Sequence, residues 1–446
     1  MNELVKKFDL TRSMAPYFDI HMIIPLLDFL NEVKLYDHKA ITKEKIKSIL
    51  STNMIELVED EYEKLAGDSE MDAAFKSQKE TLEKRKVEIF DLLDNEPENV
   101  KIVREFFSNE SQISELKNNA NLSIDYLEKA FGITSEALEN YYKYSKFKYE
   151  CGYYKEAADM LGNYLSIFQS QCNSVLGALW GRLGCRILQA SWEESLLDFV
   201  AVKDAIETRN ISAVDQLRQR AWLLHWSLFV FSNQRDGHDS HYEFFSEKIY
   251  IQTIENLCPW MLRYYSLSII IGNKKKTMMK ELLNEIQSLS HLYSDPITEF
   301  VEALYDRYDF NEALVKLKES HEILKHDFFM QIHADKFMHE AKLLICEVYC
   351  SINRRVDLKT LSEKIELTEE QTEKWMVEMI QKSSLNSNLQ AHIDSSEKQV
   401  IISPPIKLGQ QIVVEKTRDL TSRSSILQAN IENLLQEQSF YLKNRN

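Results

Sequence analysis

Few side chains in this 446-residue chain stand at spacings that suit chemistry. His238 and His241, in His-Asp-Ser-His, are near enough to meet one metal ion from a loop. No Cys or carboxylate pair at a second fixed spacing completes a zinc ligand set around them. Cys346 and Cys350 lie one helical turn apart, which suits core packing better than ligation. His225, between Trp222 and Trp226 in an apolar run, reads as a core histidine satisfied from within. Gly272-Asn273-Lys274-Lys275-Lys276-Thr277 has the lysines of a phosphate loop without its glycine spacing. Gly-x-Gly, Gly-x-Ser-x-Gly and His-Glu-x-x-His do not occur. The chain is therefore expected to be no enzyme, with no catalytic residue, metal ligand or cofactor.

The remaining cysteines, Cys151, Cys172, Cys185 and Cys258, are scattered and form no Cys-x-x-Cys. They read as buried thiols of a reducing compartment. The first residues, Met1-Asn2-Glu3-Leu4-Val5-Lys6-Lys7, carry no uninterrupted apolar core of a signal peptide. The longest apolar stretches, 221–231 around His225 and 257–271 around Arg263, fall short of a bilayer span. A cytoplasmic location follows as the expectation, with room for a nuclear pool. The formal charge of −16 repels nucleic acid and anionic membrane at long range. No DNA and no membrane partner are expected, and RNA contact at most locally, through Arg354, Arg355 or Lys398.

The scaffold that positions these residues is helical. Ten Gly and seven Pro are too few for a sheet-rich fold with its tight turns. Ile20, Ile23, Ile24, Leu27 and Leu30 recur at helical steps around Pro25, which marks a kink or a helix start. Asn53 with Glu56 reads as a capping box. Residues 67–100, with a charged run at 79–86, predict a solvated helix or loose connector.

From Tyr141 the pattern becomes one of paired helices. Residues 141–151 predict one helix, Gly152 the turn, and Tyr154, Ala157, Ala158 and Leu161 the inner face of the returning helix. Trp180-x-x-Leu183-Gly184-x-x-Ile187 opens a second unit, 39 residues after Tyr141. Residues 296–324 form a third, with Pro296 in the first turn, a stripe of Phe300, Leu304 and Tyr308, and re-entry at Phe310 and Ala313. Each pair has an apolar face that only a neighbour can cover, so a stacked array is expected.

Near residue 340 the pattern changes. Helices are predicted at 336–352, 358–365 and after Thr368, where Thr368 and Gln371 make a capping box. Thr372, Met376, Met379 and Ile380 are the buried face of the third. Two alternating runs, 389–393 and 400–402, predict a β-hairpin. Three helices and a hairpin describe a winged helix, ended by Pro404-Pro405. Its third helix carries Glu369, Glu370, Glu373 and Glu378 against Lys374 and Lys382, which opposes a DNA-binding role. A terminal helix follows. Leu420, Leu427, Leu434 and Tyr441 sit seven apart with Ile431 and Leu435 beside them, a seam that asks for partner helices.

A helical array running into a winged helix and a terminal helix resembles the PCI proteins, scaffold subunits of the proteasome lid, the signalosome and translation initiation factor 3. Within that group the wording is similar to the E-subunit family of initiation factor 3. The matching stretches are 17–30, 51–65, 146–161, 219–233, 295–310 and 413–435. Residues 67–100 and 236–247 match less well. The resemblance implies an all-α fold: a right-handed, tetratricopeptide-like helical-repeat solenoid, then a PCI module ending in a winged helix, then a C-terminal helix. The boundaries expected are 1–220 for the N-terminal repeat region and 221–404 for the PCI domain, divided into 221–338 and the winged helix 339–404. Residues 405–446 form the last helix.

The resemblance further implies a non-catalytic scaffold that helps recruit mRNA and initiator tRNA complexes to the small ribosomal subunit. Expected partners are the other subunits of the factor, including other PCI subunits, the small ribosomal subunit and the cap-binding scaffold protein. A scaffold of a proteasome-lid or signalosome-type complex is the alternative. PCI winged helices associate through their sheet edges, which nominates Leu389, Ile393, Val400 and Ile402 for strand addition. Leu420, Leu427, Ile431, Leu434, Leu435 and Tyr441 are nominated on the terminal helix.

Overall fold

The computed structural model describes residues 2–64, 69–108, 124–167, 173–209, 212–234, 237–272, 275–353, 355–365, 368–386, 390–394, 399–403 and 409–443. The chain divides into two compact units, Met1–Lys342 and Leu343–Asn446. It is all-α, with a single small sheet among the described residues.

The first unit opens with α1 (Asn2–Lys7), α2 (Thr11–Met14), α3 (Ile20–Glu32), α4 (His38–Ile49), α5 (Ile55–Lys64), α6 (Ser69–Asp94), α7 (Glu98–Ser108) and α8 (Ile124–Phe131). Asp19 caps α3, accepting from the His21 N–H at 3.0 Å, so Pro25 lies inside the helix and does not start it. The capping box expected at Asn53 is replaced by longer-range bonds. Its amide donates to Glu150 at 3.1 Å and accepts from Arg85 at 2.8 Å. Arg85 also donates to the Leu50 and Thr52 carbonyls. The charged run is thus one side of a helix whose Leu82 and Ile89 are buried with Ile49, Ile55 and Val58.

The paired helices follow: α9 (Ser135–Glu150), α10 (Tyr154–Ile167), α11 (Asn173–Leu188), α12 (Trp192–Thr208) and α13 (Ala213–Ser232). Each packs on the next. Gly152 makes the first turn at φ +90°, a conformation that costs an L-residue free energy. Ala157, Ala158 and Leu161 are buried against Leu138 and Tyr141, as their spacing predicts. The unit continues with α14 (Gly237–Phe245), α15 (Lys248–Leu257), α16 (Leu262–Ile271), α17 (Lys275–Leu289), α18 (Pro296–Tyr305) and α19 (Phe310–Lys325). A Cβ on Gly237 would overlap the Phe231 carbonyl, so α14 enters this tightly only with glycine. Asp295 and Thr298 close a capping box ahead of Pro296. His238 and His241 sit on α14, both buried, and not on a loop.

The helix α20 (Ala334–Ile352) leads to the second unit's α21 (Leu358–Ile365), α22 (Glu369–Asn386) and α23 (Gly409–Lys443). Its sheet has three strands: β1 (Arg355–Asp357), β2 (Gln390–Asp394) and β3 (Gln399–Ser403), in the order β1-β3-β2, all antiparallel. Cys346, Cys350, Val356, Leu358, Leu361, Met376 and Val400 form the core of this winged helix. The capping pair of Thr368 and Gln371 forms, and Thr372 is buried with Met376. The side chains of Met379 and Ile380 lie outside the described residues.

Candidate subunit-docking surfaces

The winged helix offers strand edges, and the topology decides which. Strand β3 lies between the other two, with Val400 facing Val356 on one side and Ile393 on the other. Its backbone groups are already paired there, and the Val400 side chain is buried. The strand carrying Val400 and Ile402 is therefore no edge for strand addition, correcting the expectation for 400–402. The cause is β1, where the residue pattern predicts no strand. Three residues with one apolar member are too short for alternation to register. The outer edges belong to β1 and β2, so Ile393 keeps its place on an edge strand. Leu389 lies outside the described residues, and the side chains of Ile393 and Ile402 are likewise not described. Arg355 is exposed on β1; Arg354 and Lys398 are outside the described residues.

Helix α23 spans 35 residues, about 52 Å at 1.5 Å per residue. On its seam, Leu420 is 65%, Leu427 61% and Ile431 55% exposed. Val413, Val414 and Ile426 are exposed beside them. Leu434, Leu435 and Tyr441 fall within the same helix, their side chains outside the described residues. Full burial of a Leu or Ile contributes about 1.5–3 kcal/mol, so covering three such half-open residues recovers about 4 kcal/mol. Together they form a row of exposed apolar side chains along one helix.

A buried polar node joins distant parts of the first unit. Arg263, 1% exposed, donates to Asp295 at 2.8 Å and to the Phe8 carbonyl at 2.8 Å, with Asp327 at 3.5 Å. Burial opposes its charge, but Tyr293, Asp295, Tyr264 and Asp327 around it hold it protonated. Tyr264 and Tyr293 donate to Asp327 and Asp295, each at 3.0 Å. Burial raises the Asp327 carboxyl, while Arg263, the Tyr264 hydroxyl and the Phe329 and Met330 amides draw it partly back down. The node ties the N-terminal segment to α16 and α18. In the sequence Arg263 is only a break in an apolar run; a buried arginine demands an acid, and that is the available signal.

His225 is fully buried. Its Nδ1 donates to the Ala221 carbonyl at 2.7 Å and its Nε2 accepts from Trp260 at 3.1 Å. Burial pushes it down to about 3, so it is the satisfied core histidine expected. Burial likewise pushes His238 and His241 down to about 3, with His333 and its neighbours adding repulsion. His241 meets the Ser227 hydroxyl at 3.2 Å. Among the described residues no group of three His, Cys, Asp or Glu has metal-holding geometry. Cys151, Cys185, Cys258, Cys346 and Cys350 are free thiols, and burial pushes Cys185 and Cys350 up to about 12, well away from nucleophilic thiolate. No described helix is long and apolar enough to cross a membrane.

Comparison with known proteins places this geometry. The family model described as eIF3 subunit 6 N terminal domain matches residues 9–148, and the PCI domain model matches 315–404. The chain is 34% identical over 435 residues to the E subunit of eukaryotic translation initiation factor 3 from Aspergillus clavatus, covering 95% of this chain and 93% of that one. The protein of the same name from Yarrowia lipolytica is 33% identical over 426 residues, covering 94% and 98%. That of Aspergillus niger is 33% identical over 437, covering 96% and 94%.

Proposed function

This chain belongs to the E-subunit family of eukaryotic translation initiation factor 3, and on that premise we propose how it works within the factor. It is a non-catalytic scaffold subunit of a translation initiation factor, and its partners are other subunits of that factor. A proteasome-lid or signalosome scaffold is not favoured, because the N-terminal match is to an initiation-factor model and the similarity runs almost the whole chain.

In our reading the chain bridges its neighbour subunits to the small ribosomal subunit and to the cap-binding scaffold protein, supporting recruitment of mRNA and initiator tRNA complexes. It works in the cytoplasm, with a nuclear pool as a further part of the reading. Residues 1–220 serve as the N-terminal repeat region, 221–404 as the PCI domain and 405–446 as the anchor. The single observation that carries the docking part is the open seam of Leu420, Leu427 and Ile431. Leu434, Leu435 and Tyr441 extend it, and the sheet edge with Ile393 is a second contact.

Affinity purification of the tagged full chain with identification of its partners tests the assembly reading, and co-sedimentation with small ribosomal subunits tests the ribosomal one. A chain truncated before Thr417 is expected to stay folded and lose the other subunits. Continued co-purification of the truncated chain refutes the anchor role while leaving family membership untouched.

A further inference from the structure

An aromatic groove of about 490 Å³ lies in the first unit where α9, α11 and α13 meet, and the scaffold role does not account for it. Its walls are Trp180, Trp222, Trp226 and Tyr149, and Asp19 lies among them. Trp180 stands at 86° to Trp222 and 78° to Trp226, with centroids 6.4 and 4.8 Å apart. Trp222 is 41% exposed, so part of its ring is open to a ligand. Close approach of the helices depends on Gly177 and Gly181, where an added Cβ would press on Tyr142 and Leu161.

The polar atoms narrow what this groove accepts. Two indole N–H groups are already committed, Trp180 to Gln219 at 2.7 Å and Trp226 to the Tyr17 carbonyl at 3.1 Å. A proline-rich segment, which relies on such donors to bind its carbonyls, finds these two already used. The net charge of −16 disfavours a nucleic-acid strand that would otherwise stack its bases there. Asp19 is the remaining feature. Its two hydrogen bonds, from the His21 N–H and the Tyr149 hydroxyl, both fall on Oδ1, and among the described residues it has no cationic partner. Lys146 on the rim is directed to Glu150, 4.0 Å away. A carboxylate lining the same groove as the exposed Trp222 ring suits a flat cation, which stacks on the ring while pairing with the acid.

We infer that this groove is a docking site for an arginine side chain of a basic protein segment, held between Trp222 and Asp19. The chain's own acidic field draws such a segment toward it. The site depends only on the first unit's geometry and is independent of membership of the initiation factor.

The test is fluorescence anisotropy of the full chain with a fluorescein-labelled Gly-Ser-Arg repeat dodecapeptide, beside the same peptide with Gln for Arg, a proline-rich peptide and oligouridylate. The arginine peptide is expected to bind and the glutamine peptide not. Trp222→Ala should weaken binding about fivefold by loss of the ring face. Asp19→Asn should weaken it about tenfold, while asparagine keeps the helix cap intact. Trp222→Phe should retain most of the affinity. Urea midpoints matching the unmodified chain establish that the variants fold. No binding of the arginine peptide overturns the inference, as does equal binding of the glutamine peptide or binding unaffected by Trp222→Ala and Asp19→Asn. Loss of proline-peptide or oligouridylate binding on Trp222→Ala, with the arginine peptide indifferent, assigns the groove to that other ligand and also overturns it.

Discussion

Acidification should act on the first unit through its buried histidines, and three of them are the most strongly shifted. His225, His238 and His241 are buried neutral, each pushed down to about 3 from an ordinary value of 6.5. A histidine depressed in the folded state leaves stability intact above pH 6.5 and removes it as pH falls toward 3, because only the unfolded chain takes the proton. Between pH 7.5 and 5.5 the linkage relation gives a loss of about 1.4 kcal/mol per histidine, hence about 4 kcal/mol for the three. His21 and His321, also lowered by burial, act in the same direction. Asp198, Glu285, Glu302 and Asp327, raised by burial, act oppositely. The difference between the unmodified chain and His225→Gln isolates one histidine from them. Glutamine can still donate to Ala221 and accept from Trp260, but it cannot titrate. The assay is urea unfolding followed by circular dichroism at pH 7.5, 6.5 and 5.5. The variant should be less stable at pH 7.5 and regain about 1.4 kcal/mol on the unmodified chain by pH 5.5. Parallel pH profiles for the two proteins would refute the claim that His225 is held neutral by burial.

Other outcomes follow from the same contacts. Arg263→Met leaves Asp295 and Asp327 buried without their cation and should cost about 3–5 kcal/mol in urea unfolding. Met376→Ala, in the winged-helix core, should cost about 2–5 kcal/mol, read as a lowered midpoint of the second unit's transition. Gly152→Ala places a side chain at φ +90° and presses it on Met54, 3.1 Å away, so it should destabilise by about 1 kcal/mol or more by the same measurement. Leu420→Ser with Leu427→Ser should leave thermal unfolding within about 0.5 kcal/mol, since both are exposed, while sharply reducing recovery of partner subunits in affinity purification.

Much of this architecture is legible in the residues. Ala157 and Ala158 mark a close helix pair because small side chains at helical spacing have little other use there. Pro296 behind Asp295 marks a helix start through chemistry confined to four residues. Thr368 and Gln371 do the same for the winged helix. The seam of α23 is visible because heptad spacing is a property of the helix alone. Asn53 goes the other way: its local capping signal loses to Glu150 and Arg85, which bring it bonds from distant parts of the chain. Strand β1 is too short to carry a period of its own.

Amino-acid order alone determined the helical class, the turn at Gly152, the helix start at Pro296 and the cap at Thr368, since each rests on interactions within about a helical turn. Tertiary structure alone decided that β3 is interior, that Arg263 finds Asp295 and Asp327, and that Trp180, Trp222 and Trp226 meet around Asp19. Those outcomes depend on which residues far apart in the chain share one small volume. Local spacing holds no record of that, because burial energy and hydrogen bonding are settled by neighbours in space.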